Sequence, residues 1–394
     1  MEKIVITDAK RTPIGKLSGV LKNFSAVQLA TIVSKKVLFN LGQSADQVDQ
    51  VIFGNAIQAG NGQNVARQIE LNSNIPQNKT AFTINQVCGS GLKAIRQAQM
   101  SLLLGESKMI LAGGTESMSN VPYFNMNQRQ STKFGSVTMY DGLEKDGLLD
   151  AFSNRPMGLT AENVAAQYNV SRNDQDQFAL LSHQHAINAI RNNYFADEII
   201  PIKVKDKDGS HTISQDEPVR FDTSLEKLSK LKPAFKEDGT VTAGNSAGLN
   251  DGAAALLLMT ETKAKQQHLN PIAEIMGYAE CGIDPKIMGY APYYAISKLL
   301  KQVRMTIADI DLFEINEAFA SQCVAVTRDL NIPLNKVNIN GGAIALGHPL
   351  GDSGARIVTT LINNLKRTNR EYGIASLCMG GGMGSAMLIR NPAY

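Results

Sequence analysis

The most informative part of the sequence is a pair of nine-residue stretches, Val48-Asp-Gln-Val-Ile-Phe-Gly-Asn-Ala56 and Ile310-Asp-Leu-Phe-Glu-Ile-Asn-Glu-Ala318, which resemble each other at an offset of about 262 residues. A second pair, Ser90-Gly91 and Ser353-Gly354, opens a predicted helix in each half at nearly the same offset. Each helix leads into a strand that ends in glycines. Two matches in one order and at nearly one offset indicate an internal duplication.

Outside these stretches, short β-rich runs alternate with longer amphipathic segments, which is typical of an α/β fold with mixed or parallel sheets. In the helix predicted after Cys88, apolar residues recur three or four positions apart, and Gly105 is a natural stop. The predicted strands are Lys3–Ile6, Gln50–Phe53, Lys108–Ala112, Leu312–Ile315 and Gly373–Leu377, and further helices begin near Ala355 and span Thr160–Tyr168 and Ser171–Asn192.

The middle of the chain, roughly Ser119–Ala247, has no counterpart in the second half and is richer in Asn, Gln and charged residues. Its mixed-sign charge is typical of a solvated surface. We therefore predict an insertion at 119–247 within a first half formed by 1–118 and 248–270. The second half then covers 271–394.

Composition excludes several classes of protein. The 394 residues carry a formal net charge of only +3, which argues against a dedicated nucleic-acid binder but allows a local basic patch. The N-terminus lacks the apolar core of a signal peptide, and no apolar stretch is long enough to span a membrane. The four cysteines form no C-x-x-C pair, which excludes a disulfide framework and a zinc ribbon. This cysteine usage indicates reduced thiols and a cytoplasmic protein.

Cys88 lies between an extended run and the start of a helix at Gly89-Ser-Gly91. Backbone N–H groups and the positive end of the helix dipole are expected to stabilise a thiolate there, although an inert buried cysteine is the ordinary alternative. The same segment also matches a relaxed dinucleotide-binding pattern. NAD binding would require an acidic residue about 20 positions after the glycines to bind the ribose. The next strand ends instead in the glycine-containing stretch Gly113-Gly-Thr-Glu116, so NAD binding is disfavoured.

Three segments of the second half are candidates to join Cys88. His348 lies in a glycine-rich loop before a helix, Cys378 precedes a run of glycines, and Asn316 follows a strand and is predicted to cap the next helix. Tight turns, a core thiol and a helix cap would explain each feature without chemistry. The duplication favours a shared site, because corresponding corners of paired halves can converge.

The blocks Val87-Cys88-Gly-Ser-Gly, Asn316-Glu-Ala-Phe, Gly347-His348-Pro-Leu-Gly and Cys378-Met-Gly-Gly-Gly resemble the signatures of thiolases, in particular acetyl-CoA acetyltransferases. The resemblance runs from Arg11 to Gly384, essentially the whole chain. It implies two βαβαβαββ halves in a layered α-β-α-β-α core, with a loop domain inserted into the first half.

The resemblance also implies a role for each site residue. Cys88 would accept the acyl group, and His348 would take the Cys88 proton. Cys378 would remove the α-proton of the second acetyl-CoA, and Asn316 would position a water beside the enolate oxygen. The backbone N–H groups of Cys88 and Gly380 would hold the oxyanion of the tetrahedral intermediate. Cys281 and Cys323 match none of these blocks and are interpreted as packing residues.

Coenzyme A is implied as substrate and product, together with acetyl-CoA and acetoacetyl-CoA, and no tightly bound cofactor, metal, nucleic acid or membrane partner is expected. Arg220 would meet the adenine end of the nucleotide. The family's Gly-Asn-Ala-Ser-Gly appears here as Gly244-Asn-Ser-Ala-Gly248, so the serine that contacts pantetheine is displaced to Ser246. The pantetheine tunnel would be lined by Met157, Ala243, Ala318 and Phe319.

Two features bear on the length of the acyl chain. Pro156-Met157-Gly158 resembles degradative thiolases that cleave longer 3-ketoacyl-CoAs, whereas Val121–Asp150 resembles the loop that helps build a tetramer in the short-chain group. We therefore expect a homotetrameric acetyl-CoA acetyltransferase, with a 3-ketoacyl-CoA thiolase of broader chain length as the alternative. A ketoacyl synthase and a non-catalytic scaffold are disfavoured, because the two cysteines and His348 are all present.

Overall fold

Each of the two duplicated stretches folds into a short buried strand in the computed structural model, which describes residues 2–40, 45–130, 133–206 and 209–394. Strand β3 (Gln50–Gly54) runs parallel to both of its neighbours, and β14 (Leu312–Ile315) runs parallel to one. Both strands are covered on their two faces, which is why they read as near-continuous apolar runs. The strands expected from the duplication are confirmed.

The remaining elements alternate as the sequence predicts. The other strands are β1 (Ile4–Arg11), β2 (Gly15–Lys16), β4 (Thr80–Ile84), β5 (Met109–Ser117), β6 (Tyr123–Phe124), β7 (Tyr140–Asp141), β8 (Leu149–Asp150), β9 (Arg155–Pro156), β10 (Ile202–Asp206), β11 (Gly209–Ile213), β12 (Asn250–Thr260), β13 (Ala273–Gly282), β15 (Tyr372–Met379) and β16 (Met383–Arg390). The helices are α1 (Ala26–Asn40), α2 (Val65–Asn72), α3 (Ser90–Leu103), α4 (Gly158–Gln167), α5 (Arg172–Arg191), α6 (Leu225–Ser229), α7 (Glu261–Gln266), α8 (Ala291–Val303), α9 (Ala320–Asp329), α10 (Ala343–Leu346) and α11 (Ser353–Thr368).

A mixed sheet runs through both halves in the order β14-β15-β16-β13-β1-β12-β5-β3-β4. Strand β12 returns from the middle of the chain and pairs antiparallel with β5 on one side and with β1 on the other. The two halves meet where β1 pairs with β13, through Val5–Glu274 and Ile6–Ala273. The predicted α/β class is therefore confirmed.

Three apolar cores separate the layers. One face of β12, including Leu256 and Leu258, packs on a central layer formed by α3 and α11, and β15 and β16 cover the other side of that layer. The opposite face of β12, including Leu257 and Met259, packs on α1 and α2. Helices α8 and α9 cover the outer face of the second half. The result is the layered α-β-α-β-α arrangement that the resemblance implies.

The repeated Ser-Gly pair is explained by the contact between α3 and α11. A Cβ atom at Gly91 would lie 2.7 Å from the Ala355 nitrogen, and one at Gly354 would lie 2.3 Å from the Leu92 nitrogen. Only glycine allows the two helix starts to approach this closely. The duplicated motif therefore brings together the two loops that precede these helices. Among the described residues, no helix combines the length and the apolar character that crossing a membrane requires.

Candidate active site

Cys88 lies in a strained turn immediately before α3. Val87 has φ of 51°, which is unusual for a β-branched residue and is typical of functional turns. A Cβ atom at Gly89 would lie 2.1 Å from Met379 Sδ, so the turn packs directly against the end of β15. This packing aims the Cys88 thiol into a small cavity at the boundary between the two halves.

The resting form of Cys88 differs from the prediction. Burial is the largest influence and raises the pKa of the Cys88 thiol to about 12, while hydrogen bonds from the backbone N–H groups of Gly380 and Cys88 act in the opposite direction. The thiolate expected from the helix start is therefore not the resting form, because the N–H groups do not offset the loss of hydration. Cys88 needs a base to become a nucleophile.

His348 has the protonation state that a base requires. Burial, followed by the positive charge of Arg356, lowers the pKa of the imidazole to about 3, so the ring is neutral. Ring Nδ1 lies 2.5 Å from Ser353 Oγ, whose hydroxyl donates to the Pro349 carbonyl at 2.9 Å. Because a hydroxyl has only one proton, Ser353 must accept from Nδ1–H. The lone pair of Nε2 is therefore available to accept a proton.

Asn316 lies against the His348 ring. Its Nδ2 atom is 3.5 Å from both ring nitrogens, and its Oδ1 atom is buried without a hydrogen-bond partner among the described residues. The prediction that Asn316 caps the next helix is wrong, since α9 begins at Ala320. The Asn316 N–H donates instead to the Ser376 carbonyl of β15, so this residue continues the sheet and leaves its side chain free to face the site.

Cys378 lies near the end of β15 and is completely buried. It packs with Met288 and Ala318, two residues that also line the Cys88 cavity. Burial, followed by the proximity of Cys88, raises the pKa of the Cys378 thiol well above its ordinary range. Its S–H donates to Gln322 Oε1 at 3.0 Å. Both cysteines are therefore protonated at rest.

Two residues of the site lie outside the motifs that the sequence singled out as catalytic. Gln322 lies in the first turn of α9 and is fully buried, and an amide among small and apolar residues at this helix start is a signal that could have marked it. Glu116 accepts hydrogen bonds from the backbone N–H groups of Ala56, Ile57 and Gly351 and from the Asn55 side chain. Burial raises the pKa of Glu116 to about 7. This carboxyl ties the end of β3 to the His348 loop.

The cavity of about 80 Å³ brings together part of the predicted set. Cys88, His348, Gly380, Met157, Ala318 and Phe319 all line it, and Cys378 and Asn316 lie directly behind this lining.

The remaining predicted coenzyme A contacts do not line this cavity. Ala247 forms the wall where Ser246 was expected, because the Ser246 hydroxyl donates to the Thr242 carbonyl at 2.8 Å. Arg220 and Ala243 are exposed outside the cavity. Within the described part of the chain, no group of three or more His, Cys, Asp or Glu side chains is arranged to hold a metal ion.

The comparison with protein families decides the identification. The model of the thiolase N-terminal domain matches residues 4–262, and that of the thiolase C-terminal domain matches residues 269–391. The chain belongs to the thiolase family. Like the family, this thiolase is an acyltransferase.

Full-length relatives agree with that assignment. The thiolase is 46% identical over 390 residues to a "Probable acetyl-CoA acyltransferase" of Staphylococcus aureus (strain COL), with 99% of each chain covered. It is 47% identical over 390 residues to a protein of the same description from Staphylococcus epidermidis (strain ATCC 12228), again with 99% of each chain covered.

Two solved structures share the fold throughout. The acetyl-CoA acetyltransferase of Bacillus anthracis superposes with a TM-score of 0.97 at 46% identity, and human mitochondrial 3-ketoacyl-CoA thiolase superposes with a TM-score of 0.97 at 44% identity. Each comparison covers 99% of both chains. The thiolase is thus equally similar in fold to an acetyl-CoA acetyltransferase and to a 3-ketoacyl-CoA thiolase.

Proposed function

We propose that this thiolase is an acetyl-CoA C-acetyltransferase, which interconverts two acetyl-CoA with acetoacetyl-CoA and CoA through an acyl-cysteine. The observation that carries the proposal is the small cavity shared by Cys88 and His348. With a volume of about 80 Å³ the cavity has room for only a few water molecules, so only the thioester end of pantetheine and a short acyl group fit at Cys88. The other walls near Cys88, including Leu148, Met288 and Leu350, are apolar and exclude water from the thioester.

The cleavage direction fits the resting protonation states. As Cys88 attacks the 3-keto carbon of acetoacetyl-CoA, its proton moves to His348 Nε2. The bond between carbons 2 and 3 then breaks, leaving an acetyl group on Cys88 and the enolate of acetyl-CoA. The protonated imidazole and a water held by Asn316 Oδ1 stabilise the enolate oxygen. Carbon 2 takes its proton from the Cys378 S–H, and the first acetyl-CoA leaves.

The second half of the reaction restores the enzyme. The incoming CoA thiol gives its proton to the Cys378 thiolate, and the CoA sulfur attacks the acetyl group on Cys88. The N–H groups of Cys88 and Gly380, which point at the Cys88 sulfur, hold the oxyanion that forms. The Cys88 sulfur then leaves and recovers its proton from His348. Run in reverse, Cys378 removes the α-proton of acetyl-CoA and the carbon–carbon bond forms.

Coenzyme A is proposed as the substrate carrier, with no tightly bound cofactor. Met157, Ala318 and Phe319 line the cavity and are proposed to contact pantetheine. Arg220 is proposed to meet the nucleotide end, and its exposed position outside the cavity supports this role. Ala243 and Ser246 are proposed as more distant tunnel contacts.

The division into a first half (1–118 and 248–270), an insertion (119–247) and a second half (271–394) is likewise proposed, and the return of β12 to pair with β5 supports it. A cytoplasmic location is supported by the four free cysteines.

A homotetramer built as a dimer of dimers is proposed from the segment around β6 and β7. Tyr123, Met126, Phe134 and Met139 are each more than half exposed there, and such apolar patches mark contact surfaces. Light scattering on the purified protein should give the mass of four chains. Phe134→Glu should leave a smaller assembly, and a tetramer in both proteins would exclude this segment as the contact.

A 3-ketoacyl-CoA thiolase of broader chain length is the alternative, and a second cavity favours it. This cavity of about 570 Å³ shares Val87, Gly147, Met157 and Gly380 with the small one, and its remaining lining includes the charged residues Lys145, Asp146 and Asp150. A longer acyl chain on Cys88 could extend into it past Met157.

A series of 3-ketoacyl-CoA substrates tests the choice between the two functions. The proposal predicts that kcat/KM for cleavage is highest with acetoacetyl-CoA. A maximum at a longer chain would assign the alternative function instead.

A further inference from the structure

Cys88 and Cys378 share one site but have different proposed roles, and their hydrogen-bond partners also differ. The Cys88 sulfur faces two hydrogen-bond donors, the N–H groups of Gly380 and of Cys88 itself. The Cys378 sulfur has one such donor, its own backbone N–H, and its side-chain partner is an acceptor, Gln322 Oε1, at 3.0 Å. Donors stabilise a thiolate, whereas an acceptor stabilises only the protonated thiol.

The orientation of the Gln322 amide is determined by its other contact. Gln322 Nε2 donates to the backbone carbonyl of Asn316 at 3.1 Å, and a carbonyl can only accept. Rotating the amide by half a turn would place its oxygen against that carbonyl oxygen. The side chain is also confined, because a Cβ atom at Gly289 would lie 2.9 Å from Gln322 Cβ. The amide oxygen is therefore held towards Cys378.

We propose that Gln322 is a positioning residue that assigns different roles to the two thiols: it holds the Cys378 S–H as a proton donor, keeps Cys378 from competing with Cys88 for the acyl group, and links Cys378 to Asn316. This inference rests on the role proposed above for Cys378. Gln322 does not line the cavity at Cys88, so it acts through Cys378 and not on the substrate.

Alkylation of Cys378 tests the proposal without catalytic turnover. In a Cys88→Ser background, iodoacetamide labelling at Cys378 is followed by mass spectrometry of the peptides. Gln322→Met keeps the length of the side chain and removes the acceptor, so labelling should become about tenfold faster, the change given by about one unit of thiol pKa. Gln322→Glu keeps an acceptor towards Cys378, and burial keeps its carboxyl protonated so that its hydroxyl donates to the Asn316 carbonyl, so labelling should stay at the parent rate.

Cys281→Ser is the matched control, because Cys281 is a half-buried thiol on β13 whose Sγ donates to the Ala291 carbonyl at 3.3 Å. It should leave labelling at Cys378 unchanged. Equal labelling rates in the parent and in Gln322→Met would overturn the proposal. If Gln322→Met does not fold, Gln322→Glu still decides, since labelling about tenfold above the parent rate, with the acceptor kept, contradicts the inference.

The split between kcat and KM gives a second readout in the intact enzyme. Gln322→Met removes the acceptor that holds the Cys378 S–H, so kcat for cleavage should fall while KM for CoA stays unchanged, and Gln322→Glu, which keeps an acceptor, should recover kcat. An unchanged kcat in Gln322→Met would contradict the proposal. Failure of the proposed function is distinguishable, because the wild-type chain would then show no cleavage while the labelling contrast would still be measurable.

Discussion

Replacing Asp352 by Asn should stabilise this thiolase, and the gain should grow with pH. Asp352 precedes α11 and is 1% exposed, and both of its side-chain oxygens are buried without a hydrogen-bond partner among the described residues. Burial raises the pKa of Asp352 from 3.8 to about 8, although the positive charges of Arg356 and Arg11 act in the opposite direction. The folded protein therefore keeps this carboxyl protonated at neutral pH.

The magnitude follows from the difference in bound protons. Between pH 3.8 and about 8 the unfolded chain releases the Asp352 proton and the folded chain retains it, so folding stability falls as pH rises. The loss is about 1.4 kcal/mol per pH unit. Asn has nearly the same shape and no ionisable group. The stability difference between the variant and the wild type should therefore grow by about 3 kcal/mol from about pH 5 to about pH 7.

The assay is urea unfolding of both proteins at several pH values, followed by circular dichroism. A constant cost of burying the Asn amide shifts the whole curve and leaves its slope unchanged, so the slope is the diagnostic quantity. Asp197→Asn is the matched control, because the Asp197 side chain is 75% exposed and its profile should parallel the wild type. Parallel profiles for Asp352→Asn and the wild type would refute the reasoning from burial.

Three further predictions concern catalysis. Ser353→Ala removes the acceptor that orients His348, so kcat for cleavage should fall about tenfold, which corresponds to about 1.4 kcal/mol, and Ser353→Thr should restore it. Equal kcat values in the wild type and Ser353→Ala would contradict the assigned tautomer. Met157→Ala should join the two cavities and raise the preference for medium-chain over four-carbon substrates about tenfold, measured as the ratio of the two kcat/KM values. An unchanged ratio would exclude the second cavity as an acyl site. Alkylation of Cys88 should accelerate about tenfold per pH unit from about pH 7 to about pH 9, because burial raises its pKa; a plateau over this range would show a resting thiolate.

Much of the fold is visible in the sequence because its elements are locally periodic. Ser171–Asn192 was expected as a helix, and α5 spans Arg172–Arg191 with Ser171 as its cap. Strand β12 was harder to interpret, since it is buried on both faces and shows no alternation. Its pairing with β1 and β5 joins residues more than a hundred positions apart, and no local pattern encodes such a pairing.

The site was predictable where a residue's surroundings are also its sequence neighbours. Glycine-rich turns beside Cys88, His348 and Cys378 marked those positions. Asn316 was mistaken for a helix cap because an Asn between a strand and a helix can either cap the helix or end the strand. The prediction of a resting thiolate at Cys88 was wrong, because the thiol is buried by packing against the other half of the chain. The sequence around Cys88 does not show that packing.

The supporting residues of the site have roles that depend on contacts across the fold. Gln322 contacts Cys378, which is 56 residues away, and Glu116 contacts Gly351, which is 235 residues away. Only the packing of α9 on β15, and of β5 beside the His348 loop, gives these side chains their partners.

The central claim is that Cys88 carries the acyl group, and trapping the intermediate tests it most directly. The protein is mixed with excess acetyl-CoA, quenched in acid at short times and digested for mass spectrometry of the cysteine peptides. The mass of one acetyl group should appear on the Cys88 peptide, and it should be absent in Cys88→Ser. Acetylation of Cys378, Cys281 or Cys323 with Cys88 unmodified would contradict the claim.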